Sequence, residues 1–236
     1  MGRNISLERR AEIGRERRLK TRAHILEVAF ELLGREDGRS TRIEEICAAA
    51  KVARGTFYNY FTSVDEMFRA LTFEISHDFN SAVRSVIRRV PNGAISAAFA
   101  LRYYLHKTRE DPAWGWAMVN LSAGGPIFGE ETMRYATECM LDGMVTEQFS
   151  VPSPEIGHDL MQGGTLAGMI SLLRGPQPPD FPEKLVAQIM RGLGVSVTLI
   201  ERCVQPELPD PFAFLAEHGM APERTVLDMM ALLDKP

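Results

Sequence analysis

Residues 51–61 read KVARGTFYNYF and combine hydrogen-bond donors with aromatic rings. Phe57 and Phe61 are four residues apart, so on a helix they share one face that can be buried. The remaining surface of such a helix carries a cation, hydroxyls and an amide but no carboxylate: Arg54, Thr56, Tyr58, Asn59 and Tyr60. This chemistry suits an acidic, hydrogen-bonding partner, and the segment therefore predicts a helix that meets DNA.

The residues before this segment predict two further helices. Thr41 and Glu44 stand three residues apart, which is the spacing of a capping box at a helix start. The apolar side chains that follow recur at helical spacing: Ile43, Ile46, Cys47 and Ala50. An apolar helix over 25–33, closed by Gly34, precedes them. The order of a supporting helix, a short helix, a tight turn at Lys51 and Val52, and a last short helix is that of a helix-turn-helix.

This pattern resembles the DNA-binding domain of the TetR family of bacterial transcription regulators over residues from about 21 to 67. The resemblance rests on matches in all three helices: Ile25, Ala29, Leu32, Gly38, Thr41, Ile43, Ile46, Val52, Gly55, Thr56, Tyr58 and Phe61. It implies an all-α fold with an N-terminal three-helix helix-turn-helix domain and a C-terminal helical domain for ligand binding and dimerisation. It also implies a homodimer that binds a double-stranded DNA operator as a repressor.

The resemblance assigns roles to particular residues. Thr41 and Arg42 would touch phosphate, while Arg54, Gly55 and Thr56 would read base edges. The hydroxyls of two tyrosines would anchor further phosphates. The full predicted DNA-binding set is Thr41, Arg42, Lys51, Ala53, Arg54, Gly55, Thr56, Tyr58, Asn59 and Tyr60.

Three positions depart from the family pattern. Family members usually have Gly where this chain has Lys51, Ser or a similar cap where it has Ala53, and Lys where it has Val64. The missing lysine removes one expected phosphate contact, and the missing cap leaves an amide to be satisfied by water or phosphate. We interpret these departures as a change in affinity and expect DNA binding to be retained.

Charge is distributed unevenly along the 236 residues, although the net charge is −4. Residues 1–69 hold 14 Lys and Arg against 11 Asp and Glu, whereas residues 70–236 hold 13 against 20. A basic front on an acidic body orients a molecule toward a polyanion. The Arg-rich stretch 1–19 is predicted to be an arm that reaches adjacent phosphate or the minor groove, and a solvated helix face or disorder is the alternative.

Other function classes find no support in the sequence. Cys47, Cys139 and Cys203 lie far apart without a CxxC pair, so neither a metal site nor a disulfide framework is indicated. No catalytic or dinucleotide-binding motif is present, and we expect neither an enzyme nor a cofactor. The charged N-terminus and the absence of a long apolar run predict a cytoplasmic protein without a membrane segment.

The rest of the chain is predicted to be helical, with breaks at Pro and Gly clusters. The predicted helices cover 68–90, 94–109, 114–122, 130–149, 155–174, 180–203, 211–218 and 222–233. We expect four parts: a basic arm (1–19), the helix-turn-helix domain (20–67), an effector-binding and dimerisation domain (68–205) and a C-terminal helical extension (206–236).

Small and apolar residues at helical spacing on 155–174 and 180–203 predict two helices that approach others closely. The resemblance implies that they form a four-helix bundle across a dimer axis, and packing within one chain is the alternative. The residues concerned are Ile156, Leu160, Gly164, Ala167, Ile170, Leu185, Ile189, Gly192, Val195 and Leu199.

A set of methionine and aromatic side chains is the candidate lining of a pocket for an apolar or aromatic effector, because such side chains adapt to irregular apolar guests. The same residue types also build ordinary cores. The candidates are Phe99, Tyr103, Trp114, Trp116, Met118, Asn120, Phe128, Met133, Met140, Met144 and Met161. A second hypothesis remains, that of an α-helical small-molecule binding protein whose head makes protein contacts.

Overall fold

The computed structural model describes residues 7–90 and 92–218, and this part of the chain contains helices and no strand. The predicted helix over 222–233 lies outside the described residues. The helices are α1 (Leu7–Leu33), α2 (Ile43–Ala49), α3 (Arg54–Phe57), α4 (Val64–Ile87), α5 (Gly93–Glu110), α6 (Pro112–Leu121), α7 (Gly129–Val145), α8 (Pro154–His158), α9 (Gly164–Arg174), α10 (Phe181–Gly192), α11 (Val197–Val204) and α12 (Pro211–Glu217).

The first three helices form a head around its own apolar core. Buried side chains from each helix meet there, including Leu26 of α1, Ile46 of α2 and Phe57 of α3. α1 is longer than the predicted first helix, because it begins at Leu7 and runs without interruption through most of the predicted arm. The basic stretch is therefore helical from Leu7 onward.

A single helix, α4, connects the head to the body. Ser63 caps its first turn, where the Ser63 hydroxyl accepts a hydrogen bond from the backbone N–H of Glu66 at 3.0 Å. Near its start, Met67 and Leu71 are buried in the head core. Farther along, Phe79 and Val83 are buried in the body core, so this one helix contributes to both cores.

The body packs around α5, which contacts α6, α7, α9, α10 and α11. α6 has a second role, since its Ala117 and Leu121 belong to the apolar core of the head. The Asn120 side chain on the same helix donates to the carbonyl oxygens of Leu33 and Arg35, both at 2.8 Å. Head and body are thus joined by α4 and by the end of α6.

Two predicted helices have different bounds in the structure. The predicted helix 180–203 is wrong as one element, because it breaks after Gly192 and resumes at Val197. Gly194 has a φ of +76° at the break, and a Cβ there would lie 2.7 Å from the Cβ of Ser150, so this close approach favours glycine. The predicted helix 155–174 is continuous but contains a π turn over Asp159–Gly163.

The described part of the C-terminal extension folds back onto the body. Arg102 is buried and donates to the backbone oxygens of Cys203 at 3.2 Å and Pro206 at 2.8 Å. The Tyr103 hydroxyl donates to the carbonyl of Pro209 at 2.7 Å, and α12 packs on α4. The segment after α11 is therefore held by α5 and rests on the helix that leads to the head.

Within the described ranges, no helix has the length and apolar character that crossing a membrane would need.

Candidate nucleic-acid interface and ligand chamber

α3 is held against the head by its aromatic residues. Phe57 and Phe61 are fully buried, and their ring centroids lie 5.4 Å apart. The α-helix proper ends at Phe57, and hydrogen bonds from the N–H groups of Tyr60 and Phe61 to the carbonyl of Phe57 continue the turn. The predicted burial of one face is confirmed, although the regular helix is shorter than the segment 51–61.

The predicted DNA-binding residues lie at the surface of the head. Thr41, Thr56 and Tyr60 are half-buried, and the other seven are exposed: Arg42, Lys51, Ala53, Arg54, Gly55, Tyr58 and Asn59. A Cβ built on Gly55 would meet no atom of the described chain within 4 Å. The backbone at Gly55 is therefore open to close approach from outside.

The start of α2 differs from the predicted capping box. The N-cap is Arg42, whose backbone N–H donates to the Glu45 carboxylate at 2.9 Å, so Glu45 and not Glu44 occupies the capping position. Thr41 instead ends the preceding 3₁₀ turn. Glu44 is left at the surface, where its carboxylate accepts from Arg54 at 2.9 Å.

The departures from the family pattern have local consequences. Lys51 has a φ of +55°, which is the left-handed region where glycine is favoured. Ala53 is the N-cap of α3, and its methyl side chain offers no acceptor to the first amides of the helix. Val64 packs against the head core. It therefore contributes to packing at the position where family members usually have a lysine.

Sequence reasoning missed one residue beside this surface. Arg18 of α1 donates to the backbone oxygen of Asn59 at 2.9 Å, and its guanidinium lies 5.6 Å from the centroid of the Tyr60 ring. The cationic half of α1 is thereby fixed beside the turn that follows α3. The Arg-rich sequence predicted a basic surface, but only the fold shows that Arg18 contacts Asn59 and Tyr60.

A cavity of about 70 Å³ lies in the body between α4, α5, α7 and the π turn; we call it the chamber. Its lining residues are Asn80, Val83, Arg84, Ile87, Ala97, Ala100, Leu101, Tyr104, Phe128, Thr132, Tyr135, Ala136, Cys139, Met161, Gln162 and Thr165. Burial raises the pKa of the Cys139 thiol, with the charges of Asp142 and Glu138 adding to the effect, so this thiol of the wall stays uncharged.

The structure brings only Phe128 and Met161 of the predicted pocket residues to the chamber. Phe99, Tyr103, Trp114, Met118 and Met140 are buried in the body core, Met144 packs against that core, Met133 lies beside His158, and Trp116 is half-buried. Asn120 was wrong as a pocket residue, since it joins α6 to the head. Methionine and aromatic residues at helical spacing filled the core, and nothing in the sequence pattern marked Tyr104 or Thr132 as pocket residues.

Trp114 links the chamber to α6. Its indole lies 5.5 Å from the Tyr104 ring, centroid to centroid, and its Nε1 donates to the carbonyl of Ile75 on α4 at 2.8 Å. A larger cleft of about 310 Å³ lies nearer the head, between α4 and the start of α7, and its wall includes Asp65, Glu130 and Glu131. These carboxylates make it a poorer match than the chamber for an apolar guest.

The predicted interface residues divide into exposed and buried groups. Ile156, Leu160, Ala167 and Gly192 are exposed, whereas Ile189 and Val195 are buried within the chain. Leu199, Leu185, Ile170 and Gly164 are half-buried. A Cβ on Gly164 would lie 3.0 Å from Ile189, so part of the small-residue pattern serves the packing of α9 on α10 inside one chain.

The three-helix head and the all-helical body define a DNA-binding protein of the helix-turn-helix class. Residues 25–71 match the family model of the bacterial regulatory proteins of the tetR family. Over these residues the chain is similar to the DNA-binding domain of that family, which supports a transcriptional regulator.

Solved structures share the fold of both domains. The complex of RolR with resorcinol has a TM-score of 0.63 at 24% identity, covering 83% of this chain and 98% of RolR. A protein described as a tetR-family transcription regulator from Shewanella sp. PV-4 gives 0.59 at 18% identity, covering 73% and 97%. An ArpA-like gamma-butyrolactone receptor gives 0.51 at 21% identity, covering 85% and 99%. No curated protein matches the chain.

Proposed function

We propose that this regulator is a homodimeric repressor that binds a palindromic operator and is released from it by a small, mainly apolar or aromatic effector. Three features support the proposal: the donor-rich surface of the head, the exposed apolar residues on α8 and α9, and the chamber beside α4. RolR is solved with resorcinol and another structure of similar fold is a gamma-butyrolactone receptor, which supports a small organic effector here.

In the proposed complex α3 enters the major groove. Arg54, Gly55 and Thr56 read base edges, while Thr41 and Arg42 contact phosphate at the start of α2. Further contacts to the phosphate backbone of DNA come from Tyr58, Tyr60 and Lys51 and from the protein main chain near Ala53 and Asn59. Arg18 fixes the cationic part of α1 beside them, which extends the positive surface beyond α3.

The main support for effector control is that α4 runs from the head core to the wall of the chamber. This one helix buries Met67 and Leu71 in the head, and about two turns farther on Asn80, Val83 and Ile87 line the chamber. A guest that shifts the chamber wall must therefore shift the head or strain the helix. A ligand shifts the position of the head only if it binds one position of α4 more tightly than the other.

α6 offers a second connection between the two sites. Trp114 packs against Tyr104 of the chamber, and Asn120, on the same helix, holds the carbonyls of Leu33 and Arg35 at the end of α1. Two rigid helices thus connect the chamber wall with the head. In a dimer, a small rotation of each head changes the separation of the two α3 helices, and operator half-sites need about 34–36 Å or a multiple of it.

Dimerisation is proposed through α8 and α9 with α10. Ile156 is 45% exposed and Leu160 is 39% exposed on one helical face, and Ala167 continues that face. Gly192 of α10 lies beside Leu160, where a Cβ would be 3.7 Å away. A partner that covers this strip would bury apolar surface that one chain leaves in water.

The decisive experiment is selection of DNA from genomic fragments with the purified protein, followed by a mobility shift with the selected sequence. We expect a shift with the wild type and a loss of operator preference in Arg54→Ala, while Arg202→Ala, which changes an exposed arginine of the body, binds normally. Protein that selects no sequence would contradict the proposal and favour a binding protein whose head contacts other proteins.

Effector control is tested with resorcinol and a gamma-butyrolactone as first probes. A true effector should change tryptophan emission and release DNA over the same concentration range, because Trp114 packs against Tyr104 of the chamber wall. Linkage requires that operator DNA weakens the effector by the same factor. Compounds that alter the emission but never DNA affinity would remove ligand control from the proposal.

A further inference from the structure

Gln162 is a buried polar side chain on the wall of the chamber. It lies in the π turn, is 4% exposed, and its Nε2 has no hydrogen-bond partner among the described residues. A buried amide without an acceptor loses its hydrogen bonds to water and gains none in return, and most buried polar groups in proteins are paired. π turns inside helices are frequent at functional sites. An NH₂ group that lines a cavity without a protein acceptor points to an acceptor on a ligand.

The other polar groups of the chamber satisfy one another. The Tyr104 hydroxyl donates to Oδ1 of Asn80 at 2.8 Å, and Nδ2 of Asn80 donates to the Thr132 hydroxyl at 3.1 Å. The Thr165 hydroxyl donates to the carbonyl of Met161 at 2.7 Å. These groups form a fixed polar wall, and Gln162 is left as the donor available to a guest.

The chamber also selects against charge. Arg84 is the cation on its wall, but its guanidinium lies 3.7 Å from the centroid of the Tyr135 ring and pairs with Glu138 at 3.4 Å. Burial raises the pKa of the Tyr104 hydroxyl far above its usual value, so that it stays protonated. An ionised ligand would meet no partner of opposite charge among the inner groups and would lose its hydration.

The size of the chamber limits the guest. Its volume is about 70 Å³, whereas a known engineered cavity of about 150 Å³ holds benzene. One ring therefore fits only with adjustment of a flexible neighbour, and Met161, with its three rotatable side-chain bonds, is placed to move.

We propose that the chamber recognises an uncharged, single-ring ligand that carries an oxygen acceptor, and that the side-chain amide of Gln162 donates a hydrogen bond to that oxygen. This inference rests on the proposed function, since it gives the chemical class of the effector for the same site. Gln162 is then the residue that distinguishes an oxygenated ring from a hydrocarbon of the same size.

Phenol and toluene provide the test, because they have equal numbers of heavy atoms and differ in one oxygen. Binding to the full-length protein is followed by titration calorimetry, with tryptophan emission as a second signal. We expect the wild type to prefer phenol by about tenfold, which corresponds to about 1.4 kcal/mol. Gln162→Leu removes the donor and should abolish or reverse this preference, while Gln205→Leu, at an exposed position of the body, should keep it.

The outcomes separate this inference from the proposed function. Equal phenol-to-toluene ratios in the wild type and Gln162→Leu would overturn the role of Gln162, and failure of the wild type to bind either probe would overturn the single-ring class. Thermal unfolding checks that Gln162→Leu folds, and Gln162→Met replaces it if it does not. Operator binding by the same samples is scored independently, so a failed repressor model shows as absent DNA binding and not as an altered ratio.

Discussion

Arg54 of α3 and Glu44 of α2 form an ion pair at the outer surface of the head, with 2.9 Å between Nη1 and Oε1. Both side chains are more than half exposed, at 61% and 59%. An exposed pair of this kind contributes little to stability. We infer that the pair instead orients Arg54. The Glu44 carboxylate holds the guanidinium that is proposed to read a base, and it competes with DNA phosphate for this guanidinium.

Glu44→Gln tests this relationship. Without the carboxylate, Arg54 is free to pair with phosphate, and a negative charge beside the DNA is lost. We expect affinity for random DNA to rise by several-fold and the preference for the operator to fall, measured by mobility shift over a range of salt concentrations. A double-mutant cycle with Arg54→Ala should show coupling between the two residues.

Glu45→Gln is the control for charge alone, since it removes an equal charge one residue away, from a carboxylate that caps α2. If Glu44→Gln and Glu45→Gln change operator preference equally, Glu44 does not orient Arg54, and the ion pair is incidental to recognition.

Lys51→Gly is expected to stabilise the protein, because Lys51 has a φ of +55° where a left-handed backbone costs an L-residue about 1–2 kcal/mol. The greater freedom of glycine in the unfolded chain offsets part of this gain. Thermal unfolding should show a rise of about 2–4 °C for a net gain near 1 kcal/mol. DNA affinity should fall, with a salt dependence smaller by about one counterion.

Glu147 offers a matched control in the body, with a φ of +56° at an exposed position. Glu147→Gly should give a similar gain in stability without any change in DNA binding. Stability that is unchanged in both variants would show that neither residue is under backbone strain.

The head could be predicted from sequence because the signals of its helices are local. The four-residue spacing of Phe57 and Phe61 specifies the buried face of α3 whatever the rest of the chain does. The predicted start of α2 was less accurate. Glu44 and Glu45 both lie near a capping position, and only the structure shows that Glu45 takes it, with Arg42 as the N-cap.

The chamber could not be predicted from sequence because its lining comes from separate helices. Asn80, Tyr104, Thr132 and Gln162 carry no shared motif, and they meet only when α4, α5, α7 and the π turn are assembled. A regular helix over 155–174 has no π turn, so the sequence pattern also misplaces the residues around Gln162. Trp114, Met118 and Met140 show the opposite case, since residue types suited to a pocket were used to fill the core.

Ala167→Glu is expected to yield a folded monomer with weak operator binding. Ala167 is exposed on α9, so the new carboxylate is harmless in one chain and is buried without a partner in the proposed dimer. Gly164→Arg would be a poorer test, because Gly164 touches Ile189 inside the chain. Light scattering with size-exclusion chromatography gives the mass, and a mobility shift gives the lost avidity.

Ala213→Glu is the control, since it makes the same change at an exposed position of α12. A dimeric Ala167→Glu protein with normal operator affinity would exclude α9 from the interface. A monomeric Ala167→Glu protein with normal operator affinity would contradict the proposal that a dimer binds the operator.

Glu183 of α10 is expected to confer stability that is lost in acid. Its carboxylate lies 3.2 Å from Nε of Arg102 and 2.8 Å from Nε2 of His106. Burial acts to raise its pKa, but the hydrogen bond with His106, a backbone hydrogen bond and the charges of His106 and Arg102 outweigh it, so the pKa lies below the ordinary 4.5. A lowered carboxyl pKa stabilises the fold above the unfolded value, and this contribution disappears as the pH falls through the folded one.

Glu183→Gln should therefore lower the free energy of unfolding at pH 7, by about 1–3 kcal/mol, because it leaves the buried Arg102 with a weaker partner. The difference from the wild type should shrink as the pH falls below 4.5, since the wild-type carboxylate becomes protonated there. Urea unfolding between neutral and acidic pH measures this, with the exposed Glu201→Gln as control. A difference that stays constant across the whole range would mean that Glu183 acts through its shape, and not through its charge.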